Sequence, residues 1–269
     1  MFILAMFLAV LVGVSLGLIG SGGSVLTLPI MVYLLHVDPV IATSYSLFIV
    51  GLAALIGGVQ YATKGLVDTR IAIIFGLPSI ITVYLTRAFL LPAIPDKLFQ
   101  LGQFHVTKAL LLMLLFAVIM FIAAISMIRK KKVGGAAQDT QTNNSISVKV
   151  VLIEGVVVGL LTGLVGAGGG FLIIPALVVF CGIEMKTAVG TSLFIIAAKS
   201  LIGFTGDLQA DVQLDWMLLI SFSLATIVGI VVGFSLVNKF SADRLKSLFG
   251  WFVLLFSIFI IIKELLSIQ

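Results

Sequence analysis

The chain has a single cysteine, two histidines and only 10% charged residues among its 269 positions. One thiol, Cys181, excludes an intramolecular disulfide and any oxidoreductase chemistry that needs a pair of thiols; its expected role is packing. Neither His36 nor His105 sits in a haem motif, and no cofactor or metal is expected. No Gly-Lys-Ser/Thr loop or dinucleotide fingerprint is present. No nucleophile, base and orienting group fall at catalytic spacing, so an enzyme is not expected.

The shortage of charge is the decisive absence. With 61% apolar residues and a mean hydropathy of +1.31, the chain cannot enclose a water-soluble core and still have a polar surface left over. The alternating segments of a transmembrane β-barrel are missing too. What is present is a series of apolar runs, at 42–61, 71–90, 109–128, 217–237 and 248–262 with its flanks. Each is roughly the 20 residues that cross a ~30 Å hydrocarbon layer. The expected fold is an all-α polytopic membrane protein with about 8–10 membrane segments. Residues 1–19 lack a charged n-region and are expected to be the first segment rather than a signal peptide.

The net charge of +5 does not point to nucleic acid. Its densest cluster, Arg129, Lys130, Lys131 and Lys132, directly follows an apolar run, as in positive-inside anchoring. These residues open a polar stretch, 129–148, with the composition of a solvated linker. It separates a first membrane repeat, 1–128, from a second, 149–269.

The two parts repeat each other. GLIGSGGSVLTLPI at 17–30 matches GLVGAGGGFLIIPA at 163–176, and the same shift of 146 aligns SLFI at 46–49 with SLFI at 192–195. Between positions 10 and 57 there are 19 identities in 48 positions, and apolar bias alone would not align Gly17, Gly20, Gly22, Gly23 and Pro29 with Gly163, Gly166, Gly168, Gly169 and Pro175. The first half divides into pieces at 2–19, 24–36, 40–62, 69–92 and 105–128. The second divides at 149–165, 170–182, 187–206, 214–238 and 245–267. The second piece of each half is only about 13 residues, the length of a re-entrant or broken helix.

Charge placement bears on orientation. The loop between the third and fourth pieces carries Lys64 and Arg70 in the first half, but Asp207, Asp211 and Asp215 in the second, so equivalent loops are expected on opposite sides. The linker and the loop with Lys239, Arg244 and Lys246 are expected to be cytoplasmic. One loop dissents, with Arg87, Lys97 and Lys108 on the expected outer side. Gln60, Arg87 and Trp216 are taken as ends of spans; His36, Asp38 and Glu154 are taken as interfacial.

Inverted repeats with discontinuous helices are the architecture of secondary transporters, whose sites lie near the bilayer midplane between the halves. A break at Gly20–Gly23, and again at Gly166–Gly169, would leave N–H groups at the start of a half-helix. Glycines there permit φ > 0 and close approach of a ligand, so such a turn can bind an anion. Gly-rich stretches also serve close helix packing alone. The paired copies, each followed by a short helix and a proline, favour binding or gating.

These two stretches, with ATSYSLFIVG and AVGTSLFIIAAKSLIG downstream of them, resemble the TauE/SafE sulfite exporter family, also called the 4-toluene sulfonate uptake permease family. The resemblance covers both halves. It implies a permease of the cell inner (plasma) membrane for small sulfur-containing or organic anions such as sulfite, sulfonates, sulfoacetate or thiosulfate, coupled to an ion gradient of protons or sodium. It implies substrate-binding positions at Gly20, Ser21, Gly22, Gly23 and Ser24, at Gly166, Gly168, Gly169 and Gly170, and at the hydroxyls of Thr43, Ser44, Ser46, Thr191 and Ser192. Such hydroxyls can donate to oxyanions, or bond back to their own helix. The other function classes left open are an anion channel and a non-transporting scaffold or sensor. The expected partners are the small anion and the lipid bilayer; the oligomeric state is not set by the sequence.

Lys199 stands apart. It lies deep in the third piece of the second half, on one helical face with Ser192 and Gly203, and its first-half counterpart is Ala53. An ammonium at that depth costs about 2.5–3.5 kcal/mol on insertion scales, so it must face the interior, water or a partner. It is expected either to attract substrate or to pair with a buried carboxylate or helix C-terminus.

Overall fold

The computed structural model describes residues 2–19, 24–101, 104–128, 148–166, 168–209, 214–236 and 242–266. The first half holds α1 (Phe2–Ile19), α2 (Ser24–Pro29, continued by a π-helical turn Ile30–Leu34), α3 (Pro39–Ala62) and α4 (Thr69–Leu85). A second π turn, Thr86–Leu90, leads into α5 (Leu91–Ala93). A hairpin of β1 (Lys97–Leu101) and β2 (Phe104–Thr107) precedes α6 (Lys108–Ile128). The second half holds α7 (Val148–Val165), α8 (Gly170–Phe180), α9 (Met185–Gln209), α10 (Trp216–Leu236) and α11 (Ala242–Leu266).

Among the described residues five helices are long and apolar enough to cross a membrane, namely Pro39–Ala62, Thr69–Ala93, Lys108–Ile125, Met185–Gln209 and Trp216–Leu236. Their faces are arranged for lipid. On α4 the exposed stripe is Ile73, Leu77, Ile81 and Leu85, whereas Phe75, Ser79 and Val83 are buried. On α10, Ile220, Leu224 and Val228 are exposed while Ser223, Thr226 and Gly229 are buried. Hydroxyls and glycines inside with large aliphatics outside is the pattern a hydrocarbon solvent selects. The chain is an integral, all-α polytopic membrane protein, with one β-hairpin among the described residues. That hairpin pairs Lys97 with Thr107 and Leu101 with Phe104, and it corrects the expectation of a helix beginning at 105.

Close helix approach is set by glycine. A Cβ on Gly13 of α1 would strike the Thr226 carbonyl of α10 and lie 2.8 Å from Gly229 Cα; one on Gly17 would lie 2.6 Å from the Ile230 carbonyl oxygen. The same contacts recur between α7 and α4, where a Cβ on Gly159 would lie 2.7 Å from the Ser79 carbonyl oxygen and one on Gly163 would lie 2.7 Å from Thr86 Cβ. Under the shift of 146, Gly13 and Gly17 are the counterparts of Gly159 and Gly163. Ser79 and Thr86 fall opposite Thr226 and Gly233 when the fourth pieces are matched at Phe75 and Phe222, a shift of 147.

The helix starts obey the same correspondence. The Asp68 backbone N–H donates to Thr191 Oγ1 at 2.9 Å, and the Asp68 carboxylate caps α4 by accepting from the Ile71 N–H. The Asp215 backbone N–H donates to the Tyr45 hydroxyl at 2.6 Å, and its carboxylate caps α10 by accepting from the Met217 and Leu218 N–H groups. Tyr45 and Thr191 are counterparts, so each contact has a match with the halves exchanged.

At the centre α3 packs on α9. A Cβ on Gly51 would lie 3.0 Å from the Leu201 side chain, one on Gly58 would lie 3.3 Å from the Phe194 backbone nitrogen, and Gly190 abuts Tyr61 and Leu66. Ascending α3 therefore means descending α9, and the two equivalent helices run antiparallel.

A Gly13→Ala exchange should force α1 from α10 and destabilise the protein by about 1–3 kcal/mol. Gly76→Ala, whose Cβ finds its nearest neighbour at 3.7 Å on Ile195, should be neutral or stabilise α4 by about 0.5–1 kcal/mol. Thermal unfolding of both variants in detergent checks this; equal losses would show that small residues do not set the α1–α10 approach.

Candidate functional site

The second glycine turn is irregular backbone between α7 and α8. Gly166, Gly168 and Gly169 have φ of 74°, 65° and 63°, a left-handed conformation in which a Cβ is penalised. Gly170 then opens α8, whose first hydrogen bonds run from the Leu172 and Ile173 N–H groups to the Gly169 carbonyl.

The turn is packed against the centre of the bundle. A Cβ on Gly166 would collide with the Thr43 backbone. One on Gly168 would lie 2.7 Å from Val50 Cγ1, 3.4 Å from Ile196 Cγ2 and 3.5 Å from Ser24 Cβ. Val50 and Ile196 are counterparts near the middle of α3 and α9, so the turn lies about half-way across the span. Ser24 begins α2, which places the start of the first short helix beside the second turn. Gly20, Ser21, Gly22 and Gly23 lie outside the described residues.

Lys199 reaches this turn. It is 0% exposed, its Nζ donates to Thr162 Oγ1 at 3.0 Å, and a Cβ on Gly169 would lie 2.9 Å from that Nζ. Among the described residues no carboxylate lies within ion-pairing distance of it. Thr162 also accepts at its carbonyl from the Gly166 N–H at 2.8 Å, so one residue of α7 ties the turn and holds the lysine. Sequence reasoning passed over Thr162, because its first-half counterpart is the apolar Leu16.

The candidate hydroxyls divide by partner. Ser192 donates to its own helix at the Val189 carbonyl, 2.8 Å away, as membrane serines commonly do. Thr191 is engaged with the Asp68 N–H at the start of α4 and is not brought to the turn. Thr43 donates to the Val40 carbonyl at 2.6 Å. Ser46 lies between Thr43 and Val50 on the α3 face that meets the turn, and its buried hydroxyl has no hydrogen-bond partner among the described residues.

Two charges taken as peripheral are internal. Arg87 is not the end of a span: α4 continues through the π turn to Ala93, and the guanidinium is fully buried. Asp207 is not a loop residue: α9 runs on to Gln209, and its carboxylate is buried against Arg87 Nη1 at 3.2 Å. Arg87 Nη1 also contacts Thr43 Oγ1 at 2.9 Å and Ser44 Oγ at 3.5 Å. The dissenting outer loop thus loses a base, and the acidic loop loses an acid. The signal available was one basic and one acidic residue, each set at the far end of a long apolar run. Among the described residues no cluster of His, Cys, Asp and Glu could hold a metal ion.

The Sulfite exporter TauE/SafE family model matches residues 5–260. A "Probable membrane transporter protein" of Xylella fastidiosa is 30% identical over 261 residues, covering 96% of this chain and 94% of the relative. The probable membrane transporter proteins YunE and YdhB of Bacillus subtilis are 27% and 26% identical, covering 85% and 91% of this chain and 84% and 93% of theirs. No solved structure matches the chain significantly. Matched along nearly its whole length, and built as a bundle of apolar helices around a glycine turn, the chain belongs to the TauE/SafE sulfite exporter family, a family of membrane transporters.

Proposed function

We propose that the protein is a secondary transporter of small sulfur-containing or organic anions, such as sulfite, sulfonate, sulfoacetate or thiosulfate, in the cell inner membrane. The anion binds between the two halves, beside the glycine turn. One observation carries this reading: the buried Lys199 amine stands against left-handed Gly169 at mid-span, held by a neutral threonine and with no carboxylate in ion-pairing reach among the described residues. In low dielectric an anion bound beside the amine favours its charged form, and the ammonium in turn holds the anion. The Gly170 and Phe171 amides at the start of α8 and the Ser46 hydroxyl supply neutral donors, which bind oxyanions without adding a buried charge. A proton or sodium gradient drives the cycle.

The halves are of inverted topology. Support comes from the antiparallel packing of the equivalent helices α3 and α9, and from contacts that recur with the halves exchanged. A pseudo-two-fold axis in the membrane plane generates both features.

In proteoliposomes loaded with each anion, Lys199→Ala should lower affinity and flux by about tenfold or more, the equivalent of losing one charge-assisted hydrogen bond, and Lys199→Arg should lower them less. Gly168→Val, which forces a branched side chain onto left-handed backbone beside Val50, should abolish flux with little loss of expression. Wild-type affinity and flux in Lys199→Ala would make the lysine structural.

Single cysteines placed at Gln141 and Asp211 in a Cys181→Ala background should label from opposite membrane faces, with Gln141 cytoplasmic. Labelling of both from one face would replace the inverted arrangement by parallel halves.

A further inference from the structure

The site beside Lys199 does not use Arg87, although this guanidinium is as deeply buried. Among the described residues all of its hydrogen bonds fall on one nitrogen: Nη1 meets Thr43 Oγ1 at 2.9 Å, Ser44 Oγ at 3.5 Å, and the Asp207 oxygens at 3.3 and 3.2 Å. Nε and Nη2 are equally buried, and among the described residues neither has a partner. That edge carries the parallel N–H pair that matches two oxygens of one oxyanion. An ion pair serving only stability would be expected to engage it, because unpaired buried donors of a charged group are costly.

The surroundings fix this edge in place. Arg87 sits in the π turn Thr86–Leu90, a widened helical turn of the kind that often marks functional positions. A Cβ on Gly206 would lie 3.0 Å from Arg87 Cβ, so a glycine admits the arginine stem against α9. Asp207 and the two hydroxyls then hold Nη1, which fixes the plane of the group. The position is also asymmetric. The counterparts of Asp207 and Arg87 are Tyr61 and Phe234, which form an edge-to-face aromatic pair with ring centroids 5.3 Å apart. Asp207 lies about 12 Å along α9 from Lys199, at ~1.5 Å per residue, toward the end where α4 and α9 finish and α3 begins.

We infer that the Nε–Nη2 edge of Arg87 is a second oxyanion-binding position, taking one sulfite, sulfonate or carboxylate group between Lys199 and that end of the bundle. It rests on the anion-transport reading for its ligand, and adds where along the path the anion pauses and from which end it is reached. Asp207 both orients Arg87 and partly neutralises it, keeping the hold weak enough for release, as a conducted ion requires.

The two partners of the pair should therefore act in opposite directions. Binding of sulfite and of sulfoacetate to the purified protein is measured by calorimetry, with monodispersity and thermal transition as folding controls. Arg87→Gln should weaken binding by about tenfold or more, whereas Asp207→Asn should leave it unchanged or tighten it, because the cation is no longer shared. The Arg87→Gln/Asp207→Asn double variant, which removes both charges, should fold and still bind as weakly as Arg87→Gln. Arg87→Lys keeps the charge without the fork and should stay several-fold weaker than wild type; it decides the matter where the double variant does not fold. Wild-type affinity in the double variant or in Arg87→Lys, or parallel losses in Arg87→Gln and Asp207→Asn, would overturn the inference while leaving the transport reading standing. If the wild-type protein neither binds nor moves any of these anions, the transport reading itself fails and Arg87 loses its ligand with it.

Discussion

Hydrocarbon offers no hydrogen bonds, so backbone that leaves the helical path must be enclosed by protein. Much of the architecture follows from enclosing the turn at Gly166–Gly169. α3 and α9 cover it from Thr43 to Val50 and at Ile196, and they approach each other through Gly51 and Gly58. α7 supplies Thr162 to its Gly166 N–H, and α7 is brought onto α4 by its own glycines at 155, 159 and 163. The outer faces are then free to carry Ile73, Leu77 and Ile81, which need only lipid. Glycine thus appears in two roles, left-handed backbone at the turn and absent volume along the helices.

This division explains which parts were legible in the sequence. Spans and turns were readable because a bilayer fixes helix length, and because paired glycines stand out in an apolar run. The pieces expected at 2–19, 69–92 and 149–165 match helical segments to within a residue or so at their ends. Arg87 and Asp207 were misplaced by the same logic. A charge near the edge of an apolar run ordinarily marks the interface, and only the partner on another helix, 120 residues away, keeps each inside. The hairpin at 97–107 was equally out of reach, since its segment is short and too mixed in composition for a period to show.

The hydroxyls show a different limit. Ser46 and Ser192 occupy equivalent places in identical SLFI stretches, yet Ser192 bonds back to Val189 while Ser46 has no such partner among the described residues. Local sequence cannot separate them, because what differs is the neighbourhood. Three residues before Ser46 stands Thr43, drawn toward Arg87 and pressed by Gly166; three residues before Ser192 stands Val189, which offers only its carbonyl. Symmetric motifs therefore need not make symmetric sites.

Charge is the sharper asymmetry. The contacts that recur between the halves are neutral in their side-chain chemistry or are helix caps: glycine against backbone, Tyr45 or Thr191 against an aspartate N–H. The buried charges do not recur: Lys199 stands opposite Ala53 and the Arg87–Asp207 pair opposite Phe234 and Tyr61. Neutral packing can be duplicated at no cost, since each copy joins one half to the other without burying a charge. A buried charge cannot, because every copy brings a desolvation penalty of several kcal/mol that one anion could offset at only one position at a time. A duplicated frame can thus keep its packing symmetric and its buried charges single, and the end of the bundle that holds Arg87 is chemically distinct from the end that holds Tyr61.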